Sequence, residues 1–347
     1  MNGAGRACLI MPFRNEARSL PEVLESLARQ RGTRARLRYV FVDSASTDAS
    51  ARIAREWLQT TGNEGEVVSV ERPGISIALN AGIARVRAGE IVIRLDAHTL
   101  YDQGYLALLL DTLARTPPEV WWVGGSLIEP LAADLPGRVV RALMTNPMGL
   151  GASAWRRATT LRRVESNVYL GAFRPGVLQS LGGFDERWIA NEDSELAARI
   201  DAAGGEIWFV PVRCSYHITR GLRQTLAQWH RYGFWRARTT CRHPATLRPR
   251  HLAPPLALAL AFAIAVSPAR IALLPLSALF AALVVARRER GESPAVTAAA
   301  ALYFPLVHAA FALGLVRGWV SGTAVLGYWS SQVDARAHVR GESRPLR

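Results

Sequence analysis

Lysine is absent: all 42 basic side chains in the 347 residues are arginine, set against 28 acids for a formal charge of +14. An arginine-only basic complement reads first as the mark of a GC-rich genome. Chemically it also suits diphosphates and phospholipid head groups, which the planar guanidinium grips through paired N–H groups. Cysteine is scarce. Cys8, Cys214 and Cys241 are odd in number and have no metal-ligand spacing, so they read as free thiols in a reducing compartment. Helix-turn-helix, zinc-finger and ribonucleoprotein signatures are missing, so the positive charge does not point to nucleic acid as the partner. The apolar run after Met1 is too short for a secretory leader, and the N-terminal domain is expected to stay in the cytosol.

What the chain does have is a change of character near residue 250. Up to that point short apolar runs alternate with charges and turn residues; from Leu252 to Val316 the chain is mostly apolar. Leu252–Ala269, Ile271–Ala286 and Pro294–Val316 read as two or three membrane helices. Arg287, Arg288 and Arg290 would then face the cytosol. Gln224–Arg238 mixes Trp229, Tyr232, Phe234 and Trp235 with Arg231, Arg236 and Arg238, and Arg223 stands just before it, which suits a helix lying at the head-group level. The expected domains are a cytosolic catalytic domain over 1–222, an interfacial helix and linker over 223–250, transmembrane helices over 251–318 and a basic tail over 319–347.

Within the first domain strand and helix signals alternate. Cys8–Pro12, Tyr39–Val42, Val67–Val70, Ile91–Leu95, Val120–Gly124 and Glu206–Val210 read as buried strands. Helices are expected after Ser19, where Ser19 and Glu22 have capping-box spacing, then after Asp43 and over Ile75–Val86, Tyr105–Leu113 and Glu192–Ala203. This alternation predicts an α/β fold with a mostly parallel sheet covered on both faces by helices. Ligands of such sheets bind beyond the carboxyl ends of the strands. Asp43 and Asp96 both end strands there. Pro130–Val164, rich in Gly, Pro and Arg, reads as an acceptor-facing or lid segment.

Three clusters carry candidate chemistry. Asp96-Ala97-His98 follows a strand, and in an extended chain residues i and i+2 face one way, so a carboxylate and an imidazole can meet one divalent cation. His217, after the late strand, is a further candidate ligand; a structural histidine is the competing reading. Glu192 and Asp193 open a helix, where acids also complement the macrodipole; chemically, Asp193 could act as a general base toward an attacking hydroxyl. Asp43-Ser44-Ala45-Ser46-Thr47-Asp48 is either an ordinary Asx-rich turn or a nucleoside-binding loop.

Taken in order, these residues resemble the family 2 glycosyltransferases with the GT-A fold, from about Cys8 to Pro244. Met11–Glu16 is similar to the opening P-x-x-N-E. Val42–Asp48 is similar to V-D-D-x-S-x-D with Ser44 in place of the second Asp. Arg72-Pro73-Gly74 through Asn80-Ala81-Gly82 resembles the segment under the donor. Asp96-Ala97-His98 takes the D-x-D position, Gly182–Glu186 matches G-G-F-D-E, and Glu192-Asp193 falls at the E-D base motif. Gln228–Tyr232 resembles Q-x-x-R-W with Tyr232 for Trp. D-A-H, the Arg231–Arg238 segment and the apolar end look like the succinoglycan-type exopolysaccharide glucosyltransferases.

The resemblance implies a UDP-sugar donor, inversion at the anomeric carbon, a Mg²⁺ or Mn²⁺ ion, and a lipid-linked saccharide acceptor at the cytoplasmic membrane. Carried over, Asp193 is the base. Pro12, Arg14, Glu16, Asp43, Arg72, Asn80 and Asp96 line the donor. Gly171, Glu192, Gln228, Arg231 and Tyr232 lie on the acceptor or diphosphate side. Asp96, His98 and His217 are the metal candidates. Two alternatives stay open: a polyprenyl-phosphate sugar synthase, and a non-catalytic sugar-nucleotide-binding membrane scaffold.

Overall fold

The computed structural model describes residues 5–125, 127–132, 134–146, 160–218, 221–273, 276–277, 280, 283 and 293–339. The chain divides into two compact units, Met1–Leu222 with Val284–Ala300, and Arg223–Leu283 with Ala301–Arg347.

The first unit is built on an eight-stranded mixed sheet. Its strands are β1 (Arg6–Phe13), β2 (Arg36–Ser44), β3 (Gly65–Val70), β4 (Ile91–Arg94), β6 (Val120–Gly124), β8 (Arg162–Val164), β9 (Gly171–Phe173) and β10 (Glu206–Phe209), in the order β3-β2-β1-β4-β9-β6-β10-β8. The run β3-β2-β1-β4 is parallel, and β9 is inserted antiparallel between β4 and β6. A second sheet of β5 (Thr99–Tyr101), β11 (Arg213–His217) and β7 (Leu127–Leu131) lies in the order β5-β11-β7.

Because strand side chains alternate, each central strand feeds two cores. Leu9 and Met11 of β1 and Tyr39 and Phe41 of β2 join one buried cluster, together with Leu20, Val23, Leu24 and Leu27 of α1 (Leu20–Ala28) and Leu106, Leu109 and Leu113 of α4 (Tyr105–Arg115). Cys8, Ile10, Val40 and Val42 point the other way, against α3 (Ile75–Ile83) and Leu196 and Ile200 of α7 (Glu192–Ala202). Helices on both faces are what near-continuous apolar strands require. Arg38 is the exception within β2, and it is satisfied: its guanidinium donates to Glu90 at 2.7 and 3.1 Å and to the Arg85 carbonyl at 2.7 Å.

Further helices among the described residues include α2 (Ser50–Thr61), α5 (Leu135–Thr145), the short α6 (Val177–Ser180), α8 (Leu222–Arg242), α9 (Pro249–Ala265) and α10 (Pro294–Val339). Two expectations change here. Ser19 makes no capping bond to the start of α1; its hydroxyl is drawn instead to the Glu16 carboxylate at 2.5 Å and the Ala97 carbonyl at 3.2 Å. The segment read as an irregular lid contributes β7, α5 and β8, with residues 133 and 147–159 outside the described set.

In the second unit α8 packs against α10 at glycines. A Cβ on Gly314 would lie 1.9 Å from the His230 carbonyl oxygen, and one on Gly233 would lie 2.1 Å from that of Phe311. Gly318, four residues after Gly314, meets Phe234 in the same way. Small residues four apart let two helix backbones touch, a packing common between membrane helices. The Trp319 indole N–H donates to the Thr240 hydroxyl at 3.1 Å.

Among the described residues one helix, the 28 residues Pro294–Ser321, is long and apolar enough to cross a membrane. The first expected span, Leu252–Ala269, forms α9, a helix that Ser267 and Pro268 limit to 17 residues. That is the lower end of the range of about 17–25 residues that spans a bilayer. Much of Ile271–Ala286, along with Arg287, Arg288 and Arg290, lies outside the described residues.

Candidate active site

The carboxyl ends of β1, β2 and β4 lie side by side, Phe13 beside Asp43 and Ile10 beside Arg94. Two loops leave the first two strands and are laced together. Asn15 accepts from the Thr47 N–H at 2.8 Å through its side chain, and its own N–H donates to Ser46 Oγ at 3.1 Å. The N–H groups of Glu16 and Ala17 donate to Ser50 and Asp48. Desolvation opposes the Asp48 charge, but hydrogen bonds from Ser50 and Ala17 outweigh it and hold that carboxyl below its ordinary range. Asp43 is buried, and its Oδ1 accepts from the Ser46 N–H at 3.0 Å. Pro12 is buried at the strand end and Arg14 is exposed just beyond it.

Among the described residues four non-glycine positions have left-handed backbone, Asn15, Ala45, Leu170 and Asn191, with φ between 51° and 58°. Each adjoins one of the segments the sequence singled out. Such conformations cost about 1–3 kcal/mol for a residue like Ala45 or Leu170 and gather at functional sites.

Asp96-Ala97-His98 is a turn between β4 and β5 rather than extended chain, closed by Thr99 N–H to the Asp96 carbonyl at 3.4 Å. Burial still alternates, with Leu95, Ala97 and Thr99 inside and Asp96 and His98 partly exposed. The Tyr169 hydroxyl lies 3.3 Å from Asp96 Oδ2 and 2.7 Å from the Thr99 hydroxyl. His98 Nδ1 stands 3.6 Å from Glu16, whereas His217 Nε2 pairs with Glu22 at 3.2 Å.

The three metal candidates therefore face three different partners. No group of three or more His, Cys, Asp and Glu side chains able to hold an ion occurs among the described residues. A preassembled Asp96–His98–His217 site is not what the chain forms. Asp96 and His98 are both partly exposed at the turn, and a carboxylate with one neighbouring donor fits an ion of the Mg²⁺ type, which protein commonly holds through one or two carboxylates while substrate phosphates and water complete the shell.

The second half of the site comes from α7. Asn191 takes the left-handed turn at φ 58°, and Glu192 and Asp193 follow in the first helical turn. Asp193 is fixed at both oxygens: Oδ2 accepts from Asn167 Nδ2 at 2.6 Å and Oδ1 from the Ser194 N–H at 2.7 Å. Asn167 also accepts from the Ser194 hydroxyl at 3.1 Å.

Glu192 turns inward and accepts from Arg94 Nη2 at 2.8 Å, with both side chains about nine-tenths buried. Burial works against the Arg94 charge, but Glu192, Asp96 and Asp193 together outweigh it and hold the guanidinium firmly protonated. Burial raises the Glu192 carboxyl; Arg94 opposes that rise and Asp193 adds to it. Gly171 pairs with Arg94 across β4 and β9, with φ +115° and only 2.1 Å from a would-be Cβ to the Val123 carbonyl oxygen.

Asn80 and Arg72 are bound to the Gly182–Glu186 segment. Asn80 donates to the Phe184 carbonyl at 2.9 Å and accepts from its N–H at 2.8 Å, and Arg72 meets Glu186 at 3.1 Å. Gln228, Arg231 and Tyr232 lie on α8 of the second unit, where Gln228 Nε2 donates to the Tyr232 hydroxyl at 2.7 Å. Sequence reasoning missed Arg94, Asn167, Tyr101 and Tyr169. Arg94 alone left a signal, as a charge in the otherwise apolar run Ile91–Leu95.

Comparison with known proteins agrees with this architecture. Residues 8–128 match the Glycosyl transferase family 2 model. The chain is similar to the succinoglycan biosynthesis protein ExoA of Rhizobium meliloti (strain 1021), with 26% identity over 258 residues, covering 73% of this chain and 76% of that protein. In structure it resembles the mannosyltransferase PcManGT from Pyrobaculum calidifontis, solved with GDP-Man and Mn²⁺, at TM-score 0.58 and 24% identity over 91% of this chain and 87% of that one. The likeness is one of fold, and the fold is GT-A.

Proposed function

We propose that this protein is an inverting glycosyltransferase of surface or exopolysaccharide assembly that moves a hexose, of glucose type, from a UDP-sugar to a lipid-linked saccharide at the cytoplasmic membrane. The carrying observation is the buried ion pair that links the two segments bearing the candidate carboxylates. Arg94, two residues before Asp96, pairs at 2.8 Å with Glu192, the neighbour of Asp193 at the start of α7. The family 2 match over residues 8–128 and the similarity to ExoA support the reading.

In this reading the laced loops hold the nucleoside, with Asp43 and the Pro12–Glu16 segment against it. Arg72 and Asn80 brace the donor side through Glu186 and Phe184. Asp96 and His98 would hold a divalent cation, whose charge offsets that developing on the diphosphate leaving group. Asp193 takes the proton of the acceptor hydroxyl as its oxygen attacks the anomeric carbon. Its two hydrogen bonds fix the carboxylate's direction and leave lone pairs for that proton. Gly171 and Glu192 belong to the acceptor or diphosphate side, and Pro294–Ser321 to the membrane anchor with the catalytic domain in the cytosol.

The test is a panel of labelled UDP-, GDP- and dTDP-sugars incubated with purified full-length protein, lipid-linked saccharide acceptors, and Mn²⁺ or chelator. Metal-dependent transfer from a UDP-hexose is expected. Consumption of no donor under any condition would sink the reading.

A further inference from the structure

We propose that Arg94 is a positioning residue: it fixes the spacing between the Asp96–His98 turn and the Asn191–Asp193 start of α7, and so between the two halves of the site. This inference rests on the transferase reading and adds to it a residue that the sequence motifs do not mark.

The argument is geometric. Arg94 is the last residue of β4, two positions before Asp96, and its guanidinium reaches Glu192, the residue before Asp193. One buried ion pair thus joins the strand that carries one carboxylate to the helix that carries the other. The guanidinium is further held 5.6 Å from the Phe184 ring centroid. Its Nε makes no hydrogen bond, so Nη2 carries the link to Glu192. The Gly171 Cα stands opposite Arg94 in the sheet, where the backbone of Val123 and Gly124 leaves no room for a side chain.

A simple strut would not need a charge. A buried ion pair seldom stabilises more than well-packed apolar residues of similar size. What the charge adds is a counterweight to carboxylates gathered at the mouth of the site. Glu192, Asp96 and Asp193 would repel one another without it, and the turn and the helix start would separate. Lysine would keep the charge but lose the planar fork that sets direction.

The deciding variant is the double substitution Arg94→Met with Glu192→Met, which removes both buried charges at nearly constant volume. We expect it to fold with a wild-type thermal midpoint, to lose kcat by about thirtyfold, and to change donor KM by less than about threefold. In the same samples, amide hydrogen exchange is expected to quicken by about tenfold at both Asp96–Tyr101 and Asn191–Leu196, with β1 and β2 unchanged. Should the double variant not fold, Arg94→Lys carries the same two readouts with the same expected directions.

Wild-type exchange at both segments, or wild-type kcat in a folded variant, would overturn the proposal and leave the pair a strut. If the wild type itself transfers no sugar, the transferase reading fails alone, and the exchange measurement still decides whether Arg94 holds the two segments.

Discussion

A single hydroxyl serves both backbone groups of Asp96: Tyr101 Oη accepts from the Asp96 N–H at 2.7 Å and donates to the Asp96 carbonyl at 3.1 Å. Tyr101 is buried on β5 with its ring 4.8 Å from that of Tyr105. The turn that presents Asp96 and His98 is therefore pinned from inside. Tyr101→Phe keeps the ring and removes both bonds. It should cost about 1–3 kcal/mol of stability, read by urea unfolding, because a buried N–H loses its partner. It should also raise the Mn²⁺ concentration needed for half-maximal transfer. Unchanged values of both would show that the turn is held elsewhere.

Gly171 is expected to accept no side chain. Gly171→Ala places a methyl group against the Val123 carbonyl at a backbone angle that L residues seldom adopt. The expected loss is about 3 kcal/mol or more, measured as a shift of the denaturant midpoint. A soluble variant with the wild-type midpoint would contradict the close approach of β9 to β6.

Asn80 holds Phe184 through a donor and an acceptor at once, using the two ends of one side-chain amide. Asn80→Ala should cost about 2 kcal/mol and open the following loop, so that trypsin cuts after Arg187 faster than in the wild type. Asn80→Asp, which can accept but not donate, should fall between the two. Equal cleavage rates in all three proteins would remove Asn80 from this role.

Cys8 is buried in β1, and burial pushes its thiol from 9.0 up to about 12, with Arg38 only partly offsetting the effect. The thiol should resist iodoacetamide at pH 8.5 in the native protein and react once unfolded. The sign for stability follows from the raised value. The folded state keeps a proton that the unfolded thiol gives up, so this contribution is complete below pH 9 and is lost as pH climbs toward 12. Cys8→Ala should flatten the stability profile in that window. An unaltered slope would mean that other groups govern it.

Much of this fold is legible in the sequence because the parallel strands are continuous apolar runs, and the expected strands at Cys8–Pro12, Tyr39–Val42, Ile91–Leu95 and Val120–Gly124 fall on β1, β2, β4 and β6. The short strands β5, β8 and β9 have three residues each, too few to show a period. Insertion of β9 between β4 and β6 brings Gly171 to Arg94, a pairing distant in sequence that no local pattern encodes. The spacing of Ser19 and Glu22 suggested mutual capping, but Glu16 and the Ala97 carbonyl compete for the hydroxyl, and Glu22 pairs with His217. Asp193 stood out because it belongs to a dense acidic motif; Asn167, which orients it, sits in Ser166-Asn167-Val168 with nothing to mark it.

The most direct test of the central claim is the rate of sugar transfer by Asp193→Asn against the wild type, with both a saccharide hydroxyl and polyprenyl phosphate as acceptors. The amide preserves shape but cannot take a proton. The account predicts that transfer to the hydroxyl falls by about a thousandfold while nucleotide affinity is unchanged. Transfer at the wild-type rate, or activity retained with polyprenyl phosphate as the preferred acceptor, would contradict it.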